Sequence, residues 1–183
     1  MKLLIHICCA PDATIGIQRL TDRCRAEGYF FNPNIHPGGE YRRRLEAMKD
    51  LAAATGFPFL EGAYDPEVWH ETVKGMENEP EKGKRCIECI RLRLRETARV
   101  AREREFSHFA AVLTVSPHKD AEMVNRIGRE AAAEFGVNYI PTNLKKKDGF
   151  KISVQLSRMY DLYRQNYCGC VYSLPSDGQP EDP

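Results

Sequence analysis

A chain of 183 residues is long enough to bury a core without disulfide support and short enough to form one domain. Its 42% hydrophobic and 29% charged residues make a soluble globular balance, and no apolar run approaches the roughly 18 residues of a membrane span, which argues against a membrane protein. A net charge of +1 neither marks nor excludes a nucleic-acid partner, because a basic patch can coexist with an acidic one.

The first apolar segment runs straight into Cys8-Cys9-Ala10-Pro11-Asp12 without the longer h-region and cleavage site of a secretory signal, so a cytoplasmic protein is expected. Residues 3–7 predict a buried strand that delivers two adjacent thiols and a carboxylate to the edge of a sheet. A helix is predicted over residues 13–27, stopped by Gly28, with Ile17, Leu20 and Cys24 on its inner face. Cys24 is therefore read as a small core residue. Residues 29–35 predict a second strand interrupted by Pro33, followed by a turn at 37–39 and a helix over 40–55.

Residues 57–60 predict a third strand, and Asp65 with Pro66 forms an N-cap and first-turn proline for a short helix through Trp69. Residues 77–85 lack periodicity and predict a mobile surface loop of the kind that covers sites. Ile90, Leu94, Ala98 and Ala101 then mark a long helix with Cys86-x-x-Cys89 at its start. A fourth strand over 108–115 ends in Ser116-Pro-His-Lys119, and Asp120 caps a helix running to Phe135. A fifth strand over 137–140, a basic turn over 145–149 and an amphipathic helix through Tyr163 lead to Cys168-Gly-Cys170. Residues 1–172 are read as a single catalytic α/β domain and 173–183 as a flexible tail.

This order implies a mostly parallel sheet of about five strands with helices on both faces. Ligands bind such sheets beyond the strands' carboxyl ends at a switch in strand order. If the first and fourth strands are neighbours, the site lies between Cys8-Cys9 and Ser116-Pro-His-Lys119. No glycine-rich phosphate loop is present.

Seven cysteines form an odd count that suits metal or redox chemistry better than a closed disulfide framework. A four-cysteine zinc site, a dithiol–disulfide exchanger and an iron–sulfur cluster all accept Cys86-x-x-Cys89 with Cys168-x-Cys170. Ligand count favours the cluster: Cys8, Cys9, Cys86, Cys89, Cys168, Cys170 and Asp12 exceed what one tetrahedral ion or one cubane requires, and leave ligands for a second metal. Neighbouring side chains in extended chain point to opposite faces, so Cys8 and Cys9 are expected to serve two metal centres, or one metal and one substrate. Asp12 is read as a ligand or proton carrier, with helix capping as the alternative. His6 is read as a core histidine or as a residue supporting the metal.

Together, His6-x-Cys8-Cys9-Ala10-Pro11, Cys86-x-x-Cys89, Ser116-Pro-His-Lys119 and Tyr167-Cys168-Gly169-Cys170 closely resemble the QueH type of epoxyqueuosine reductase over nearly the whole chain. The resemblance implies a Rossmann-like sheet akin to the nucleotide α-hydrolase group. It also implies an iron–sulfur enzyme that removes the epoxide oxygen of epoxyqueuosine at the tRNA wobble position. Many members read Cys-Cys-Ala-Pro-Cys where this chain has Asp12. A carboxylate can bind an extra iron but cannot form a disulfide, so a redox disulfide at this position is excluded here.

On that reading, Cys86, Cys89 and at least one thiol from each other pair hold a 4Fe–4S cluster, and the remaining thiols with Asp12 hold an additional iron acting as a Lewis acid. Asp12 or His118 supplies a proton, and an electron donor is required. Phosphates of the anticodon loop are expected at Arg42-Arg43-Arg44, at Arg91, Arg93 and Arg95, and at Lys145-Lys146-Lys147. His36 and Tyr41 are expected to stack on bases, as is Trp69 if it is not packed in the core. Ser116 and Lys119 are expected to contact substrate at the strand end. The competing classes are a non-catalytic zinc module and an ATP-using tRNA-modifying enzyme, the latter wanting a phosphate loop where this chain has Cys-Cys-Ala-Pro-Asp.

Overall fold

The computed structural model describes residues 1–22 and 24–174. Five strands, β1 (Lys2–His6), β2 (Arg25–Phe30), β3 (Phe59–Glu61), β4 (His108–Ala111) and β5 (Asn138–Tyr139), form one sheet in the order β3-β2-β1-β4-β5. Every neighbouring pair is parallel. Parallel strands covered on both faces need apolar residues in near-continuous runs. In β1, accordingly, every residue from Leu3 to His6 is buried.

Helices α1 (Ala10–Leu20), α2 (Gly38–Thr55) and α6 (Gly149–Met159) cover the face to which Leu3 and Ile5 point. The opposite face, with Leu4, is covered by α4 (Lys84–Glu103) and α5 (Ala121–Phe135). The short α3 (Pro66–Val73) packs Trp69 and Val73 against the start of α4 beside Cys89 and Cys170. Asp65 accepts a hydrogen bond from Glu67 N at 3.1 Å and Asp120 one from Glu122 N at 2.9 Å, so both expected caps are present. Because β1 has β2 on one side and β4 on the other, the strand order switches between β1 and β4. The crevice beyond their carboxyl ends is the ligand position of such sheets. No helix among the described residues is long and apolar enough to cross a membrane.

Several boundaries differ from the sequence expectation, each for a local reason. Helix α1 begins at Ala10 and stops at Leu20, where Thr21 Oγ1 bonds Ile17 O at 2.8 Å. Gly28 is thus no helix stop but part of β2, where a Cβ would stand 2.5 Å from Ile7 Cδ1. The strand read over residues 29–35 starts earlier, at Arg25. The fourth strand ends at Ala111, and Val112–Val115 winds into a 3₁₀ turn. Residues 77–85 are tied by Arg85 Nη1, which donates to the carbonyls of Met76, Glu77 and Glu79 at 3.1, 2.9 and 2.5 Å. Ser173, placed at the start of a tail, belongs to the 3₁₀ turn Val171–Ser173 and bonds Cys170 O at 2.8 Å. The rest of that expected tail, from residue 175, lies outside the described residues.

The turn before α6 is held from below by Arg19, whose guanidinium donates to the carbonyls of Leu144, Lys146 and Lys147 at 2.9, 2.8 and 2.8 Å. A Cβ on Gly149 would stand 1.7 Å from Leu144 O, which is backbone and cannot swing aside. Gly149→Ala is expected to destabilise the fold by about 1–3 kcal/mol, the usual cost of overpacking, in a urea titration. Gly39→Ala, whose new methyl meets nothing within 4 Å, should leave the midpoint unchanged or raise it.

Candidate metal centre and substrate cavity

The chain leaves β1 at His6, makes a last ladder bond from Ile7 N to Tyr29 O at 2.9 Å, and turns into α1 with Cys9 as its extended N-cap residue. This turn brings Cys8 Sγ to 3.9 Å from Cys9 Sγ and 3.5 Å from Asp12 Oδ2. All three ligand atoms lie within 4.8 Å of one another, close enough to hold one ion. The two side chains do not point apart as neighbours in extended chain do, because the strand has ended before the thiols and the backbone is bending. Asp12 falls in the first turn of α1 and caps nothing.

Without a cation these groups crowd one another. Hydrogen bonding to Cys9, burial, and the nearby Cys9 and Asp12 push the Cys8 thiol well above its usual range. Burial pushes the Asp12 carboxyl up to about 6, against the pull of Cys8 and Arg164. Two soft thiols and one hard carboxylate at this spacing are a donor set that suits an iron-type ion.

The second thiol set comes from two other elements. Helix α4 starts at Lys84, which puts Cys86 and Cys89 in its first two turns. Cys168 and Cys170 flank Gly169, whose φ of 112° is open to glycine. Arg44 fixes this turn, donating from Nη1 to Cys168 O at 3.1 Å and from Nη2 to Tyr167 O at 3.2 Å while its Nε pairs with buried Glu40 at 2.6 Å. Cys86, Cys89, Cys168 and Cys170 line one small cavity together with Trp69, Arg93 and Lys119. All seven cysteines are free thiols.

Two cations serve this chamber, buried Arg93 and half-buried Lys119. Lys119 Nζ donates to Cys168 Sγ at 3.3 Å. Burial opposes ionisation of Cys168, but Lys119, Arg93 and Arg44 outweigh it and hold this thiol below its ordinary range. Arg93, 3% exposed, donates from Nε to Cys89 O at 3.3 Å. Its burial is offset by Cys89, Cys168, Cys8 and Cys86, all of which favour its charge. Burial pushes Cys89 and Cys170 up. The buried Trp69 Nε1–H is directed at Cys89 and favours its anionic form. An N–H donor and two cations around four thiols fit sulfur held as thiolate on a metal. Burial, with Arg93 second, lowers His6 to about 3; the neutral ring donates from Nε2 to Phe31 O at 3.1 Å.

Beside the thiols opens a cavity of about 420 Å³, lined by Cys8, Asp12 and Cys168 on one wall. Ser116, His118 and Lys119 close it from the loop after β4, Arg44, Arg164 and Gln165 from the other side, and Glu81 from the loop before α4. Cys86 faces a second, larger groove of about 910 Å³ between the starts of α4 and α5, which shares His118 and Lys119 with the first.

The structure thus brings Cys8, Asp12, Cys168, Ser116, His118 and Lys119 to one cavity. It does not bring Tyr41 there: its ring is 4% exposed and stacked 3.9 Å from Tyr64, a core position that no base can reach. Trp69 is likewise buried. His36 lies between Trp69 and His70, and its backbone N–H donates to Gly169 O at 2.7 Å, so it braces the Cys168–Cys170 turn. Arg43 is exposed over the Tyr163 ring at 5.0 Å. Lys145 Nζ bonds Lys119 O at 2.5 Å, and Lys146 is exposed. Arg93 and Arg44 are buried and cannot meet phosphate at the surface, while Arg91 and Arg95 are paired with Glu130 and Glu134 of α5. Arg93 stands one turn after Cys89 on the inward face of α4, a charge at a core position, and that was the legible sign of its role.

Fold and site define an α/β protein that gathers thiols, a carboxylate and cations at the switch point of a parallel sheet, beside a cavity, in a cluster that could hold a metal. A family model described as epoxyqueuosine reductase QueH matches residues 3–176. Relatives named epoxyqueuosine reductase QueH include one from Streptococcus pyogenes, 41% identical over 97% of this chain and 72% of its own length. Another, from Thermotoga maritima, is 39% identical over 94% of this chain and 90% of its own. The chain belongs to the QueH family of epoxyqueuosine reductases. Among solved structures, one described as a predicted subunit of tRNA methyltransferase from Methanocaldococcus jannaschii aligns with a TM-score of 0.54. It covers 91% of this chain and 78% of that one at 13% identity, a likeness of fold alone.

Proposed function

We propose that this chain reduces epoxyqueuosine to queuosine at the wobble position of tRNA, with an iron–sulfur cluster and an additional iron held by the gathered thiols and Asp12. The observation that carries the reading is the convergence of Cys8, Cys9, Asp12, Cys86, Cys89, Cys168 and Cys170 on the crevice between β1 and β4, around buried Arg93. Removing the epoxide oxygen as water takes two electrons and two protons and leaves a carbon–carbon double bond. A bound cluster supplies electrons one at a time, and an adjacent iron supplies a Lewis acid.

Cys86 and Cys89, with at least one thiol from each other pair, hold the cluster, while Cys8 and Asp12, which face the cavity, hold the second iron. Arg93 and Lys119 offset the thiolates' negative charge. His118 at the exposed rim of the cavity, or Asp12 on its wall, supplies a proton as the oxygen leaves. Ser116 and Lys119 orient the substrate, and the surface cations Arg43, Lys145 and Lys146 take phosphates of the anticodon loop.

Anaerobic reconstitution with iron and sulfide should give a brown, active protein with iron in excess of sulfide and an EPR signal on reduction. A colourless preparation active with zinc alone would sink the proposal. Lys145→Glu/Lys146→Glu should weaken tRNA binding and flatten the slope of log Kd against log salt by about 1–2, near 0.7–0.9 for each phosphate that the turn no longer neutralises. Unchanged binding removes this turn from the footprint.

A further inference from the structure

The cavity beside the thiols has an opposite end that metal chemistry does not use. Phe150, the second residue of α6, is 39% exposed there although it is a large apolar side chain. It is held in place by the clamp of Arg19 on the preceding turn and by the close approach of Gly149 to Leu144 O. The Arg164 guanidinium lies 6.0 Å from its ring centroid. Gln165, on the segment joining α6 to Cys168, lines the same cavity, and its buried Oε1 has no hydrogen-bond partner among the described residues.

A flat aromatic face left open to solvent and a buried acceptor left unpaired are both unfavourable in the free protein. One kind of ligand relieves both: a planar heterocycle that lies on the ring and presents an N–H to the amide oxygen. The cavity volume falls in the range of small-ligand sites. We propose that Phe150 and Gln165 form the base-reading end of the cavity. Phe150 stacks on the flipped 7-deazaguanine, and Gln165 Oε1 accepts an N–H from its Watson–Crick edge. Because Gln165 and Cys168 are three residues apart and line the same cavity, holding the base here directs the 7-substituent, which carries the epoxide, toward Cys8, Asp12 and Cys168. This rests on the tRNA substrate proposed above.

The test is binding of the reconstituted protein to anticodon stem–loop RNAs with either guanosine or purine riboside at the wobble position, read by fluorescence anisotropy. Purine riboside keeps the stacking face and lacks the N–H donors. The wild type should prefer guanosine by roughly tenfold, the size of one well-made base contact. Gln165→Met should erase that preference while still binding both RNAs. Phe150→Ala should weaken both by roughly tenfold, and Phe150→Trp should restore them, as expected for stacking. Because Phe150 is exposed, its variants test the proposal even if Gln165→Met misfolds. A guanosine preference that survives Gln165→Met in a folded protein, or wild-type affinity in Phe150→Ala, overturns the proposal and leaves the tRNA reading standing. Failure of the wild type to bind either RNA overturns both.

Discussion

Cys89→Ser should give a folded, colourless protein whose iron and sulfide content is lower by roughly tenfold or more and whose reductase activity is undetectable. Cys89 is 7% exposed and sits between Arg93, which donates to its carbonyl, and the Trp69 N–H that favours its thiolate. A serine hydroxyl in the same place neither ionises at neutral pH nor offers a soft ligand. The contrast with Cys24→Ser gives the experiment its force. Cys24 Sγ bonds Leu20 O at 3.0 Å and packs against the α1 side of the core, outside the thiol chamber. Its substitution should leave colour, iron content and rate unchanged. Equal loss in both variants would mean that cysteine count, and not position, governs metal content.

Asp12→Asn should lower kcat by about 10²- to 10⁴-fold, the usual range for a lost acid–base group and larger than the effect on metal held by the other thiols. The amide keeps the shape and loses the charge that Cys8 and Arg164 face. Stability should change little. The carboxylate contributes about 0.3–1 kcal/mol at the start of α1, and removing a buried ionisable group offsets part of that loss. Thermal unfolding measured beside the assay separates the two effects, and an Asp12→Asn protein with wild-type kcat would remove the carboxylate from the chemistry.

The sheet was legible because buried parallel strands are written as apolar runs, and β1 and β4 are such runs with turn residues at their ends. From these the crevice followed once the two strands proved to be neighbours. Helix ends were harder to read: Gly28 resembles a helix stop, yet it is a glycine because Ile7 and Phe59 leave no room for a side chain in the sheet. The convergence of Cys8 with Cys9 was not legible, since a sequence does not say that a strand stops two residues before its thiols.

Charge was the least legible property. Arg93 looks like its neighbours Arg91 and Arg95, but helical spacing turns it inward to the thiols while they meet Glu130 and Glu134 outside. Tyr41 directly precedes Arg42, Arg43 and Arg44 in an evidently basic helix, yet its ring turns inward to Phe30 and Tyr64. Gln165 carries no motif at all, and only the unpaired oxygen in a cavity draws notice to it.

The measurement closest to the central claim is nucleoside mass spectrometry of tRNA carrying epoxyqueuosine after anaerobic incubation with reconstituted protein and a chemical reductant. Conversion to queuosine is expected, with loss of one oxygen atom per modified nucleoside by the wild type and none by Cys89→Ser. Unchanged epoxyqueuosine in the presence of a brown, EPR-active wild-type protein would contradict it.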